Sequence, residues 1–181
     1  MIRDDAPQHD IDEAISDLEY RAELGIRYHQ RRRRFFDSTR TALQVMSIFG
    51  SSGAVATYFA AGAADWVKIG FITALALGQA IALAVRPDEK AREHTRFAMA
   101  FADCDRSLKT LPAATPAAVR DVTHQLLSIE REEPPTRKVL MAMVRNDYAR
   151  RVGSRERVPV SRLQAALANF VDLGGNRLES R

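Results

Sequence analysis

From Thr41 to Ala64 the chain carries no formal charge, and after Lys68 a second uncharged run extends from Ile69 to Val85. An α-helix needs about 20 residues to cross about 30 Å of hydrocarbon. Two runs near that length, separated by a short turn, predict an antiparallel hairpin that crosses a bilayer twice and returns both ends to one side. The spans fall at about 41–62 and about 66–85. Averages over the chain conceal this, since a mean hydropathy of −0.26 and 28% charged residues would describe a soluble domain. The charges sit almost entirely outside residues 41–85, so the chain reads as a charged protein with an apolar insert.

Three segments follow: an N-terminal cytosolic helix over 1–40, the transmembrane hairpin over 41–85, and a C-terminal cytosolic helical region over 86–181. A length of 181 residues gives room for one compact unit. The first 40 residues are too rich in acids for a secretory leader, so the first apolar run is expected to be an uncleaved anchor. Cys104 is the single cysteine, which excludes an intramolecular disulfide and a cysteine-based zinc site. A chain of this kind suits reducing cytosol.

Basic residues fix the orientation. Arg27, Arg31, Arg32, Arg33, Arg34 and Arg40 precede the first run, and Arg86, Lys90, Arg92 and Arg96 follow the second, whereas the turn offers only Lys68. The positive-inside rule then places both termini in the cytoplasm and the turn outside. Tyr58 and Trp66 fall at the outer interface, and Phe35 and Phe36 near the inner one.

The remainder reads as helix throughout. Ile11, Ile15, Leu18 and Ala22 recur at helical spacing, and the absence of proline lets that helix run on through the arginines into the first span. Asp65 is the expected N-cap of the second span. Pro87 followed by Asp88 and Glu89 marks a helix restart or kink at the membrane surface, with Phe97, Phe101, Cys104 and Leu108 on one stripe. That helix is expected to pack antiparallel to the N-terminal one. Pro112 ends the restarted helix, and further helices are expected over about 116–131, over a segment carrying Val139 to Tyr148, and from Arg162 to Leu173 after a Ser161 cap, terminated by Gly174-Gly175. The fold class is an all-α membrane protein, a two-helix transmembrane hairpin extended into a cytosolic helical bundle.

Gly70, Ala74, Gly78 and Ala82 stand at four-residue intervals in the second span, a small-residue stripe that lets membrane helices approach closely. Gly50 and Ala54, beside Ser47 and Ser51, offer a similar face on the first. The plain reading is packing within one hairpin, and the sharper one is packing between subunits of a homo-oligomer. Gln79, Ser51 and Ser52 lie near the bilayer midplane, where polar side chains hydrogen-bond across helices or line a pore. Arg31, Arg32, Arg33, Arg34 and Arg86 are assigned to lipid headgroups and topology in preference to nucleic acid. His29 and His94 come to similar heights on antiparallel helices, which allows a pH-sensitive contact. Glu130, Glu132 and Glu133 resemble paired catalytic carboxylates, but no nucleophile or phosphate-binding loop accompanies them. The expectation is no enzyme, no metal and no cofactor.

The segment Tyr28-His29-Gln30-Arg31-Arg32-Arg33-Arg34-Phe35-Phe36-Asp37, the hairpin, His94, then Glu133-Pro134-Pro135 and Asn146-Asp147, together resemble the SLATT superfamily of bacterial two-transmembrane proteins. The resemblance covers roughly residues 20–150. It implies a membrane-embedded effector of bacterial anti-phage or conflict defence that forms a nonselective pore or otherwise perturbs the inner membrane. Partners would be the lipid bilayer, further copies of the chain, and a separately encoded nucleotide-signalling or sensor protein. Two rivals stand beside it. One is a membrane-anchored helical binding or scaffold module without channel activity. The other is a soluble helical bundle, which fractionation without detergent would reveal.

Overall fold

The computed structural model describes residues 8–62, 64–111 and 114–173, with the backbone alone at residues 53 and 54. All regular structure among these residues is helical: α1 (Gln8–Gly50), α2 (Gly53–Ala60), α3 (Asp65–Val85), α4 (Pro87–Lys109), α5 (Pro116–Glu132), α6 (Lys138–Arg151) and α7 (Arg162–Leu167). The helix expected over 162–173 ends at Leu167, and the stops expected at Pro112 and Gly174-Gly175 lie outside the described residues. Two compact units form, residues 1–32 with 94–181, and residues 33–93. The flanking parts make one unit together, and the insert begins at Arg33 and ends at Glu93.

In the first unit, the start of α1 and the later part of α4 run antiparallel, as their contacts show. Ile11, Leu18 and Ala22 share a buried core with Phe101, Cys104 and Leu108, completed by Val119, Val122 and Leu126 of α5. Gly25 is a point of close contact between these helices. A Cβ there would stand 2.7 Å from the ring of Phe101, so the position needs glycine for lack of space rather than for its backbone freedom. A second cluster joins Leu24 and Tyr28 to Val139, Leu140 and Val144 of α6 and to Ala168. The ends of α6 and α7 are held by side chains. The Asp172 carboxylate accepts from the N–H groups of Lys138 and Val139 at 2.9 and 3.1 Å, capping α6 from 33 residues away. Ser161 and Gln164 form a reciprocal capping box on α7.

The second unit differs from expectation in its first arm. A single helix over 41–62 does not form: α1 ends at Gly50, Ser51 and Ser52 break it, and α2 adds only eight residues. The cause is local. Gly50-Ser51-Ser52-Gly53 sets four poor helix formers in a row, and serine hydroxyls compete for backbone groups. Ser51 Oγ does so, donating to the Ile48 carbonyl at 3.1 Å. Ser52 takes an extended conformation as N-cap of α2. Among the described residues one helical stretch, starting at Asp65, is long and apolar enough to cross a membrane, so a hairpin of two intact spans is not what the chain builds. Asp65 is the first residue of α3 and Ala64 its cap; the carboxylate instead accepts from Lys68 Nζ at 3.2 Å.

The arms of this unit nevertheless lie antiparallel. Arg40 meets Asp88, Met46 and Leu43 approach Gly78, Gly50 faces Leu75, and Phe59 meets the ring of Phe71. Arg86 closes α3 in the left-handed region (φ 48°), its N–H donating to the Ala82 carbonyl, and α4 restarts at Pro87.

Candidate functional site

Two features stand out, one in each unit. The first is the surface of residues 33–93. Ile48 and Phe49 of α1, Tyr58 of α2, and Trp66, Ile69, Ile72 and Leu83 of α3 are each at least 60% exposed, and Val45, Leu77 and Ile81 at least half. Soluble monomers rarely leave contiguous apolar patches beyond a few hundred Å² open to water. This surface extends along both arms.

The small-residue stripe of α3 divides. Gly78 is buried, a Cβ there lying 3.2 Å from Met46 Cε, and Ala82 is half-buried. Gly70 has open space where a Cβ would stand, and Ala74 is exposed. With 3.6 residues per turn, a four-residue spacing drifts about 40° per step, so such a stripe winds off a straight partner. On the other arm Gly50 is packed under Leu75. Ala54 lies outside the residues whose side chains are described.

Of the midplane polar residues, Ser51 is exposed and bonded within its own turn, and Ser52 is half-buried at the break. Gln79 lines a crevice of about 690 Å³ between the arms, together with Gln44 and Ser47. Toward the chain ends of the unit the lining becomes charged, with Arg40, Arg86, Asp88, Glu89 and Arg92; Leu43, Ala82 and Leu83 supply apolar wall.

The second feature is a buried polar cluster in the other unit. Tyr28, His29, His94 and Glu133, four of the residues that carry the family resemblance, converge there. His29 is fully buried, and its Nδ1 lies 2.8 Å from His94 Nδ1. Its Nε2 stands 3.0 Å from Glu133 Oε1, although neither atom makes an aligned hydrogen bond among the described residues. Phe97 and Phe101 stack on His29 at centroid distances of 5.1 and 5.6 Å. Tyr28 Oη accepts from the Arg137 N–H at 3.0 Å, and burial pushes the Tyr28 pKa up. Pro134 and Pro135 hold the turn into α6, and Asn146 grips the backbone of Val158 through both amide atoms, at 2.7 and 2.8 Å.

The arginine run serves the protein more than its surface. Arg31 pairs with Asp147 at 3.1 Å. Arg32 is buried, donates to the Asn169 carbonyl at 2.9 Å, and has its pKa lowered by burial. Arg31 and Arg32 thus meet protein partners while their neighbours face outward, because four consecutive helical positions point in four directions. Arg33 pairs with Asp37 within its own helix, while Arg34 and Arg86 are exposed. The acidic cluster is likewise distributed, Glu130 to Arg21 at 2.6 Å, Glu132 to Arg96 at 3.5 Å and Glu133 to His29. Burial opposes the charge on Arg21, but Glu130 and Asp17 outweigh it and its pKa is raised. No group of three histidine, cysteine, aspartate or glutamate side chains among the described residues is placed to hold a metal ion.

Sequence reasoning missed two residues that shape these units. Asp172 caps α6 across a long separation that no local pattern encodes. Asn146 was visible as a motif residue, but its clamp on Val158 was not. No protein family's sequence profile, no curated protein and no solved structure matches this chain.

Proposed function

We propose that the chain is a membrane-embedded effector whose 33–93 unit lies in the bilayer and assembles with further copies into a nonselective pore. The observation that carries this reading is the exposed apolar surface along both arms of that unit, with Ile48, Phe49, Ile69, Ile72 and Leu83 open on the uncharged stretches 41–64 and 69–85. Burying such surface in hydrocarbon is favourable by roughly 25 cal/mol per Å². Connectivity supports a return crossing. Both ends of the 33–93 segment join the same unit, so an α3 that crosses must be matched by passage of the broken arm. The break itself tolerates hydrocarbon, because backbone groups there must be satisfied locally. The N–H groups of Ser51 and Ser52 donate to Ser47 and Phe49, and the Ser52 carbonyl accepts from Val55 and Ala56.

Arginines on both flanks set the orientation, with the 1–32/94–181 unit in the cytoplasm. The outward-facing Gly70 and Ala74 are the surface offered to a neighbouring copy, and Gln79 with Ser51 and Ser52 the polar groups nearest a conduit. The resemblance to the SLATT superfamily adds the setting, defence at the bacterial inner membrane under the control of a separately encoded nucleotide-signalling or sensor partner. The test is dye release from vesicles reconstituted with the purified protein, and depolarisation of cells on induction. Release and depolarisation are expected, and vesicles that stay intact with the assembled oligomer present would sink the pore.

One observation favours a second reading, a membrane-anchored binding module. Leu163, Phe170 and Val171 are exposed near the C-terminal end of the first unit and form an apolar surface outside the membrane segment. Replacing residues 41–85 by an unrelated hairpin separates the two readings, since retained activity favours the anchor.

A further inference from the structure

The crevice in the 33–93 unit has the polarity profile of an amphiphile. Its charged end holds three arginines, Arg40, Arg86 and Arg92, against two acids. Arg40 and Arg86 are drawn toward those acids, at 3.1 Å from Asp88 and 3.4 Å from Glu89, and no carboxylate pairs with Arg92 among the described residues. One positive charge is therefore left over at the end where charged sequence gives way to uncharged sequence. Guanidinium groups match phosphate geometry and give up hydration more readily than ammonium groups do.

Deeper in, Gln79 lies seven positions from Arg86 on the same helix, about 10 Å along its axis. Nearer the arginines stand Leu43, three positions from Arg40, and Leu83, three from Arg86, an apolar wall directly behind the charged end, and Gln79 and Ser47 add neutral hydrogen-bonding groups beyond it. Cations with an apolar wall directly behind them suit the phosphate and the upper acyl chain of a phospholipid. No aromatic side chain lines the crevice, so a nucleotide base would find nothing to stack on. Its volume of about 690 Å³ takes a headgroup with the upper part of a chain.

We infer that this crevice binds one anionic phospholipid, with its phosphate at Arg40, Arg86 and Arg92 and an acyl chain along Leu43 and Leu83. The inference rests on the membrane reading of this unit and adds a specific lipid class to it. The anionic lipid supplies the charge that the third arginine lacks, and it holds the two arms together at the point where α3 passes into α4.

The full-length protein in mild detergent is titrated with phosphatidylglycerol, phosphatidylcholine and soluble glycerol 3-phosphate, with bound lipid read by native mass spectrometry. Phosphatidylglycerol is expected to bind about tenfold more tightly than phosphatidylcholine, and glycerol 3-phosphate not to compete. Arg40→Gln combined with Arg92→Gln should bring the two lipids within about threefold. Ser47→Phe, which fills the crevice and keeps all three arginines, should lower the binding of both. Circular dichroism confirms that each variant is folded. Equal binding of the two lipids by the wild type, competition by glycerol 3-phosphate, an unchanged preference in the folded Arg40→Gln/Arg92→Gln variant, or undiminished binding by folded Ser47→Phe overturns the inference. Partition of the same protein into membranes, measured separately, shows whether the membrane reading has failed as well.

Discussion

Gly25 and Cys104 show how closely α1 and α4 are fitted in the first unit. Gly25→Ala gains up to about 1 kcal/mol of helix propensity but pushes a methyl into the Phe101 ring, an overpacking cost of about 1–3 kcal/mol. A net loss of about 1 kcal/mol is expected in denaturant unfolding monitored by circular dichroism. From the sequence Gly25 is only a weak point in a helix, because nothing local reveals the ring pressed against it. Cys104 is fully buried, and burial, with Asp105 and Glu130 adding to it, pushes its thiol up to about 11 from an ordinary 9.0. The folded state therefore keeps this proton where the unfolded state has lost it. The thiol's contribution is complete below about pH 9 and is lost as pH rises through about 11. Wild type should lose roughly 2 kcal/mol more than Cys104→Ala over that interval, measured by paired unfolding curves. The same burial predicts that iodoacetamide leaves Cys104 unmodified until the protein unfolds.

At the scale of elements, α6 begins without a cap of its own, since Arg137 makes no side-chain capping bond. Asp172→Ala removes both bonds to the first turn and is expected to cost about 1–2 kcal/mol, with faster amide exchange at Lys138 and Val139. Asn146→Ala should release the 152–161 segment, read as new proteolytic cleavage near Gly153. Helix existence was legible nearly throughout, from apolar spacing and from prolines at Pro87 and Pro116. The break at Ser51–Ser52 was also written in the sequence as Gly-Ser-Ser-Gly, yet the long uncharged run masked it. Charge patterning reports which segment is apolar and says nothing of helix continuity, whereas glycine and serine in tandem do. What the sequence could not display is the meeting of residues far apart in the chain. His29 and His94 were placed at similar heights, but Glu133 completes their cluster through the turn between α5 and α6.

For the whole molecule, one consequence joins its parts. A charged unit built from both ends of the chain carries an apolar insert whose two arms leave it and return to it. Packing groups residues 33–93 as one unit, so the charged stretch of α1 after Arg32 and the start of α4 go with the apolar segment. Those stretches hold Arg40 and Arg92, and Arg86 stands at the junction of α3 and α4; the three are the cations at the mouth of the crevice. If the insert lies in a bilayer, its sole tryptophan, Trp66 at the far turn, 77% exposed in the isolated chain, must meet lipid. The deciding measurement is Trp66 fluorescence after reconstitution into vesicles containing brominated phospholipid. The membrane account predicts blue-shifted emission, strongly quenched by the brominated lipid and shielded from aqueous acrylamide. Emission at the wavelength of water-exposed tryptophan, quenched fully by acrylamide and unaffected by bromine, would contradict it.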